Sequence, residues 1–242
     1  MRAARRSRRT NHVALTNLQI ERYSRQIIVD KFGGVAQERL LTSRVLLIAN
    51  YADAEAVIAY LVGAGVGNID LRSDLDIAAR GTIIARMRDL NSDSAVVIGD
   101  AAAADIMNID LAIAIVGDDA TLVRARALRD RASNSADRPR FGTVLARLDV
   151  LARLAVIPSR PPCLQCANAG ELLAPVGPPA YNAGFIAMLA VLEAIKLLTH
   201  YPSKQKPTLL EFHGYDASTR TLDSSAGFAC GCDGARMAKV PE

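Results

Sequence analysis

The chain has 242 residues, of which half are hydrophobic, 22% charged and 5% aromatic, with no Trp. That is enough apolar material for one α/β core filled by Ala, Val, Leu and Ile rather than by rings. The formal charge of +4 does not point to nucleic acid, because Arg2, Arg5, Arg6, Arg8 and Arg9 concentrate positive charge in the N-terminal tail and leave the rest about neutral. No apolar run is long enough for a bilayer, and the longest, 185–192, meets Glu193 and Lys196. Neither nucleic acid nor a membrane is therefore an expected partner, and a cytoplasmic protein is expected.

Residues 1–17 form a basic tail with no apolar period. A solvated, disordered arm is the reading taken, with an RNA- or membrane-binding arm and a transit peptide as alternatives. Residues 18–242 are expected to form one domain. A helix begins at Leu18, with Ile20, Tyr23, Ile27 and Ile28 near one face, and is broken over 31–34. A short helix at 35–41 precedes an apolar run at 44–49, which reads as a buried parallel strand. Residues 53–62 have helical spacing, glycines at 63–67 end that helix, and 68–71 reads as a second strand, completing a βαβ unit. A helix carrying Ile83, Ile84, Met87 and Leu90 follows, then strands at 94–98 and 109–116 and a basic helix at 121–131. The alternation at 143–157 predicts a hairpin, 182–199 a largely apolar helix, and 209–215 with 220–222 a closing strand pair. The expected fold is a Rossmann-like, doubly wound, mostly parallel α/β sheet with a C-terminal antiparallel extension.

The four cysteines fall in two pairs. Cys163 and Cys166 form a C-x-x-C knuckle, and Cys230 and Cys232 a C-x-C pair near Gly231 and Gly234. Two thiolates on each of two tight loops can complete one tetrahedral zinc site, so a structural zinc ion is expected. Four unrelated thiols and a redox pair are the alternatives. A redox C-x-x-C normally opens a helix after a strand, whereas Cys163 follows two prolines.

Four segments in order resemble the ThiF/MoeB/HesA family of ubiquitin-activating-enzyme-like adenylyltransferases. Residues 21–28, containing Arg22-Tyr23-Ser24-Arg25-Gln26, resemble its opening helix. Residues 43–48 with 64–69 resemble its first βαβ unit, 162–166 its first zinc knuckle, and 193–198 its late helix. With the second cysteine pair they span 21 to 232. The resemblance implies a four-cysteine zinc, and ATP and magnesium used to adenylate the C-terminal glycine of a ubiquitin-like or sulfur-carrier protein. It also implies a dimer in which an arginine of the opening helix, Arg22 or Arg25 here, reaches the partner's nucleotide site. Asp118 matches the family's metal-binding acid, and the alternative for it is a helix cap near Thr121.

Three departures bear on the nucleotide. Residues 49–54 read Ala-Asn-Tyr-Ala-Asp-Ala where the family has G-x-G-G-x-G, so Asn50 stands at the phosphate turn with Tyr51, Asp53 and Glu55 beside it. Ser73 aligns with the ribose-binding acid, and Asp74 is the residue that could replace it. The nucleotide-engaging N-x-x-R-Q segment and lysine have no counterpart, and Arg80, Arg86 and Arg88 read as a solvated helix face. ATP and magnesium binding are accordingly expected to be weakened. The expected function is that of a weakly active or silent subunit, forming a homodimer or a heterodimer with an active paralogue. The alternatives are an active adenylyltransferase with an unusual site, a non-catalytic protein binding a partner or precursor peptide, and a dinucleotide oxidoreductase, which the same missing glycines disfavour.

Overall fold

A computed structural model of the chain describes residues 14–99, 108–134, 141–148, 152–157, 183–201, 208–213 and 218–222. Its frame is an eight-stranded sheet: β1 (Arg44–Ile48), β2 (Asn68–Arg72), β3 (Ala95–Gly99), β4 (Leu111–Val116), β5 (Gly142–Arg147), β6 (Ala152–Ile157), β7 (Thr208–His213) and β8 (Ser218–Leu222). The spatial order is β3-β2-β1-β4-β5-β6-β7-β8. All pairings from β3 to β5 are parallel, and those from β5 to β8 are antiparallel. The expected antiparallel extension is present, and the hairpin read from 143–157 is β5 with β6.

Burial on both faces explains why β1 and β4 read as unbroken apolar runs. Val45 and Leu47 of β1, with Ile113 and Ile115 of β4, join the larger core cluster. That layer is filled by α3 (Gly33–Thr42), α4 (Tyr51–Ala64), α5 (Ile77–Leu90) and the late helix α7 (Ala183–Thr199). Leu46, Ile48, Ala112, Ala114 and Val116 face the other way, against Leu122, Ala125 and Leu128 of α6 (Asp119–Asn134). β2 alternates instead: Ile69 and Leu71 are buried, while Asn68, Asp70 and Arg72 look out on the α6 side. A cavity of about 210 Å³ on that polar face is lined by Arg44, Asp70, Val97 and Asn108, among others.

Helix boundaries differ from the sequence reading where caps and turn geometry decide. The opening helix is two pieces, α1 (Asn17–Arg22) and α2 (Ser24–Ile27), hinged at the buried Tyr23. The chain turns at Lys31 (φ 62°), and Gly33 and Gly34 open α3 rather than interrupt it. α4 starts at Tyr51, earlier than expected, because Asn50 caps it, and it runs through Gly63 to stop at Gly65 (φ 86°). No helix among the described residues is long and apolar enough to cross a membrane.

Candidate functional site

β1 lies between β2 and β4, and the chain leaves it towards β2 and later returns to its other side as β4. A sheet that reverses its winding in this way opens a crevice between the C-terminal ends of the two strands. Here those ends are Ile48 and Val116, and each leads directly into a helix.

On the β1 side only Ala49 and Asn50 precede α4. Asn50 is extended (φ −70°, ψ 161°), and its Oδ1 accepts the Asp53 N–H at 2.9 Å. On the β4 side Gly117 and Asp118 precede α6, and Asp118 Oδ1 accepts the Thr121 N–H at 2.6 Å. Asn50 Nδ2 then donates to Asp118 Oδ2 at 2.7 Å. One amide thus caps α4 with its oxygen and ties down the cap of α6 with its nitrogen, the only assignment that satisfies both partners. The Asp53 carboxylate reaches from the first turn of α4 to Gly117, where even a methyl group on Gly117 would overlap it.

The two carboxyls of the crevice are tuned in opposite directions. For Asp118, burial works to raise the pKa. The Asn50 amide, Thr121 and the charge of Arg124 outweigh it and hold the carboxyl below the usual range. Asp53 is raised, chiefly by burial and further by the negative charge of Asp118, against a smaller opposing effect of Asn50.

The end of β2 completes the rim. Ser73 is buried, and its hydroxyl has no hydrogen-bond partner. Asp74 is exposed and pairs with Arg124 of α6, which is itself largely buried. The hydroxyl of Thr121 is likewise buried and without a hydrogen-bond partner of good geometry.

Asn50, Ser73, Asp74 and Asp118, chosen from the sequence, therefore share the C-terminal edge of the sheet. Both readings of Asp118 bear on its position, since it caps α6 and also faces the crevice. Arg22 and Arg25 do not join them. Arg22 lies 3.7 Å from Asp93, just before β3 and at the opposite edge, and Arg25 is exposed on α2. Arg86, which pairs with Glu55 at 2.6 Å, and Arg88 are exposed on the helix face as expected, whereas Arg80 is half-buried and donates to the Leu75 carbonyl at 2.9 Å. Cys163, Cys166, Cys230 and Cys232 lie outside the described residues. Sequence reasoning named Thr121 only as the start of a helix for which Asp118 is a candidate cap, and missed Arg124 and the buried Thr121 hydroxyl. Neither belongs to a motif, and an arginine on a basic helix gives no hint that it turns back to Asp74.

No family model matches the chain. It is 29% identical over 228 residues to the vegetative HesA protein of Trichormus variabilis, covering 82% of this chain and 83% of that one. It is 29% identical over 233 residues to the molybdopterin-synthase adenylyltransferase of Escherichia coli, covering 85% and 91%. The fold is similar to that of PaaA (TM-score 0.63, 15% identity, 90% of this chain and 77% of that one). It is also similar to that of E. coli MccB solved with ATP (TM-score 0.64, 14% identity, 90% and 74%). Similarity along most of both chains, the four motif segments in order and the switch-point crevice agree in placing the resemblance with proteins of the ThiF/MoeB/HesA type.

Proposed function

We propose that the chain is a weakly active or silent member of the ubiquitin-like-modifier-activating adenylyltransferases. In this reading it handles a ubiquitin-like or sulfur-carrier protein, or a precursor peptide, in the cytoplasm as part of a dimer. The family supports the partner class: similar proteins are named for acting on molybdopterin synthase, ThiS and SAMP, and MccB has been solved with MccA.

One observation carries the loss of activity. A phosphate cradle needs free N–H groups at a helix start and room for the anion. At the head of α4 the Asn50 side chain takes an N–H, and the Asp53 carboxylate fills the space up to Gly117. These residues do not fit a nucleotide phosphate, so no step is routed through ATP or magnesium. In this reading Asp118 is the acid that would hold magnesium, since Asn50 and Thr121 fix its carboxylate at the crevice. ATP–pyrophosphate exchange tests the reading. The isolated chain should show little or none, and rapid exchange by the chain alone would refute it.

A silent subunit needs a partner, and the surface around the opening helices suits one. Leu18, Ile28, Val29 and Val35 are exposed there, beside Arg22 and Arg25. Light scattering should give a homodimer, or a heterodimer once an active paralogue is added. Where such a heterodimer forms, Arg22→Ala and Arg25→Ala should lower exchange at the partner's site. The cysteine pairs are proposed to hold one structural zinc per chain. Elemental analysis should find it, and Cys163→Ser should release it with loss of folded protein.

A further inference from the structure

Asp53 has no counterpart in the glycine-rich turn that the family places after its first strand, and its surroundings give it a role of its own. It is the third residue of a fourteen-residue helix, α4, whose first turn faces the crevice. Aligned peptide dipoles make that end of a helix favourable for negative charge. The Asp53 carboxylate supplies such a charge from within the chain and spans the crevice to the Gly117 backbone at the end of β4. Among the described residues no cation neutralises it: Arg124 is engaged with Asp74 and Arg86 with Glu55. The next carboxylate, Asp118, is held in place by Asn50 and Thr121. An incoming phosphate would therefore meet an anion already seated at the helix head and a second one beside it.

We propose that Asp53 is a resident anion that occupies the phosphate position at the head of α4 and so excludes phosphate-bearing ligands from the crevice. The proposal rests on the reading of the crevice as a remodelled nucleotide site and goes beyond it. It assigns the exclusion to one side chain, not to the missing glycines at large. Gly117 then has a complementary part, because only a residue without a side chain leaves room for the carboxylate to seat.

The test is a gain of binding. Wild-type protein, Asp53→Asn and Asp53→Gly are titrated with sodium pyrophosphate and, separately, with Mg-ATP by calorimetry at neutral pH, with circular dichroism showing each variant folded. Asn removes the charge, and Gly removes the side chain altogether. Wild type should give no binding heat, and at least one variant should bind pyrophosphate about tenfold or more tightly than wild type. Glu55→Gln, which removes a neighbouring acid engaged with Arg86, should leave binding unchanged. If both Asp53 variants stay silent, the proposal is overturned while the silent-subunit reading stands. An equal gain from Glu55→Gln would overturn it too, because general charge would then suffice. Micromolar Mg-ATP binding by wild type would overturn both the proposal and that reading.

Discussion

The two ends of the parallel strands are built from similar materials and finished differently. At the N-terminal end, Tyr23 is buried and its hydroxyl donates to Asp93 Oδ2 at 2.9 Å while accepting from Asn91 Nδ2 at 2.8 Å. Asn91 Nδ2 also reaches the Val62 carbonyl at 2.7 Å, and Gln37 Nε2 reaches that of Ala64 at 3.0 Å. Burial, with Asp93 adding to it, pushes the Tyr23 hydroxyl up to about 12, so it stays a neutral donor. Of the polar groups in this network, only Gln37 Oε1 is buried without a partner. At the C-terminal end, Ser73 buries a hydroxyl without a partner, Thr121 buries one without a partner of good geometry, and burial and the charge of Asp118 raise the Asp53 pKa against the Asn50 amide. One edge is a satisfied polar network that fixes how α1 and α2 dock. The other retains frustration of the kind that folds concentrate at functional sites.

The largest expected effects test the closed edge. Gly67→Ala would drive a Cβ into the Leu41 carbonyl, a backbone atom with no rotamer to give. Gly65→Ala would set a Cβ 2.7 Å from the Tyr23 ring and from Gln37, at a φ of 86°. Each should cost about 3 kcal/mol or more in urea unfolding. Gly63→Ala, in the same stretch but inside α4 with open space around it, should stabilise by about 0.5–1 kcal/mol. Similar effects at all three glycines would break the picture of a tightly fitted edge.

Next in size is Asn50→Ala, which removes the cap of α4 and leaves Asp118 without its amide. A loss of about 2 kcal/mol is expected, because a cap and a charge-assisted hydrogen bond go together. Tyr23→Phe should cost about 1 kcal/mol, since Asn91 retains the Val62 carbonyl and Asp93 retains the Arg22 contact. The comparison sharpens if Asn50 outweighs Tyr23, because the crevice would then depend on a single side chain where the other edge shares its load among several.

How much of this could be read from the sequence follows the same division. The strands 44–49, 68–71, 94–98 and 109–116 were legible to within two residues, the first and last as apolar runs covered on both faces and the other two as short β-forming segments between helices. The bend at Tyr23 was not, because the helix period runs through it and only burial of the ring against Asn91 and Asp93 splits the helix. Asn50, Ser73, Asp74 and Asp118 were found through the family resemblance, which sets them against its phosphate turn, ribose-binding acid and metal-binding acid, and each proves to lie one or two residues past a strand end. The bridge between Asn50 and Asp118, and the pairing of Arg124 with Asp74, depend on how β1, β2 and β4 are ordered in space. No local pattern encodes that order. The zinc ligands rest on cysteine spacing and on the family resemblance, since those residues lie outside the described part of the structure.

The smallest effect has the most informative sign. Asp53 titrates above its ordinary 3.8 in the folded chain, and Asp118 below it. A raised pKa means that folding favours the protonated form. The stability this contributes is fully present below the unfolded value and is lost as pH rises through the folded one. A lowered pKa gives the reverse, with stability present above the unfolded value and lost as pH falls through the folded one. At neutral pH Asp53 is therefore ionised at a cost and Asp118 at a gain. Asp53→Asn should raise stability at pH 7 by less than about 1 kcal/mol after solvent screening, and the advantage should vanish near pH 3. Asp118→Asn should destabilise at pH 7, and its deficit should shrink over the same acid range. Thermal melts of both variants and wild type across pH 3 to 7 would show the curves converging from opposite sides. Parallel shifts in the same direction would mean that the two carboxylates share one environment, and the crevice would then have no resident anion distinct from its capping acid.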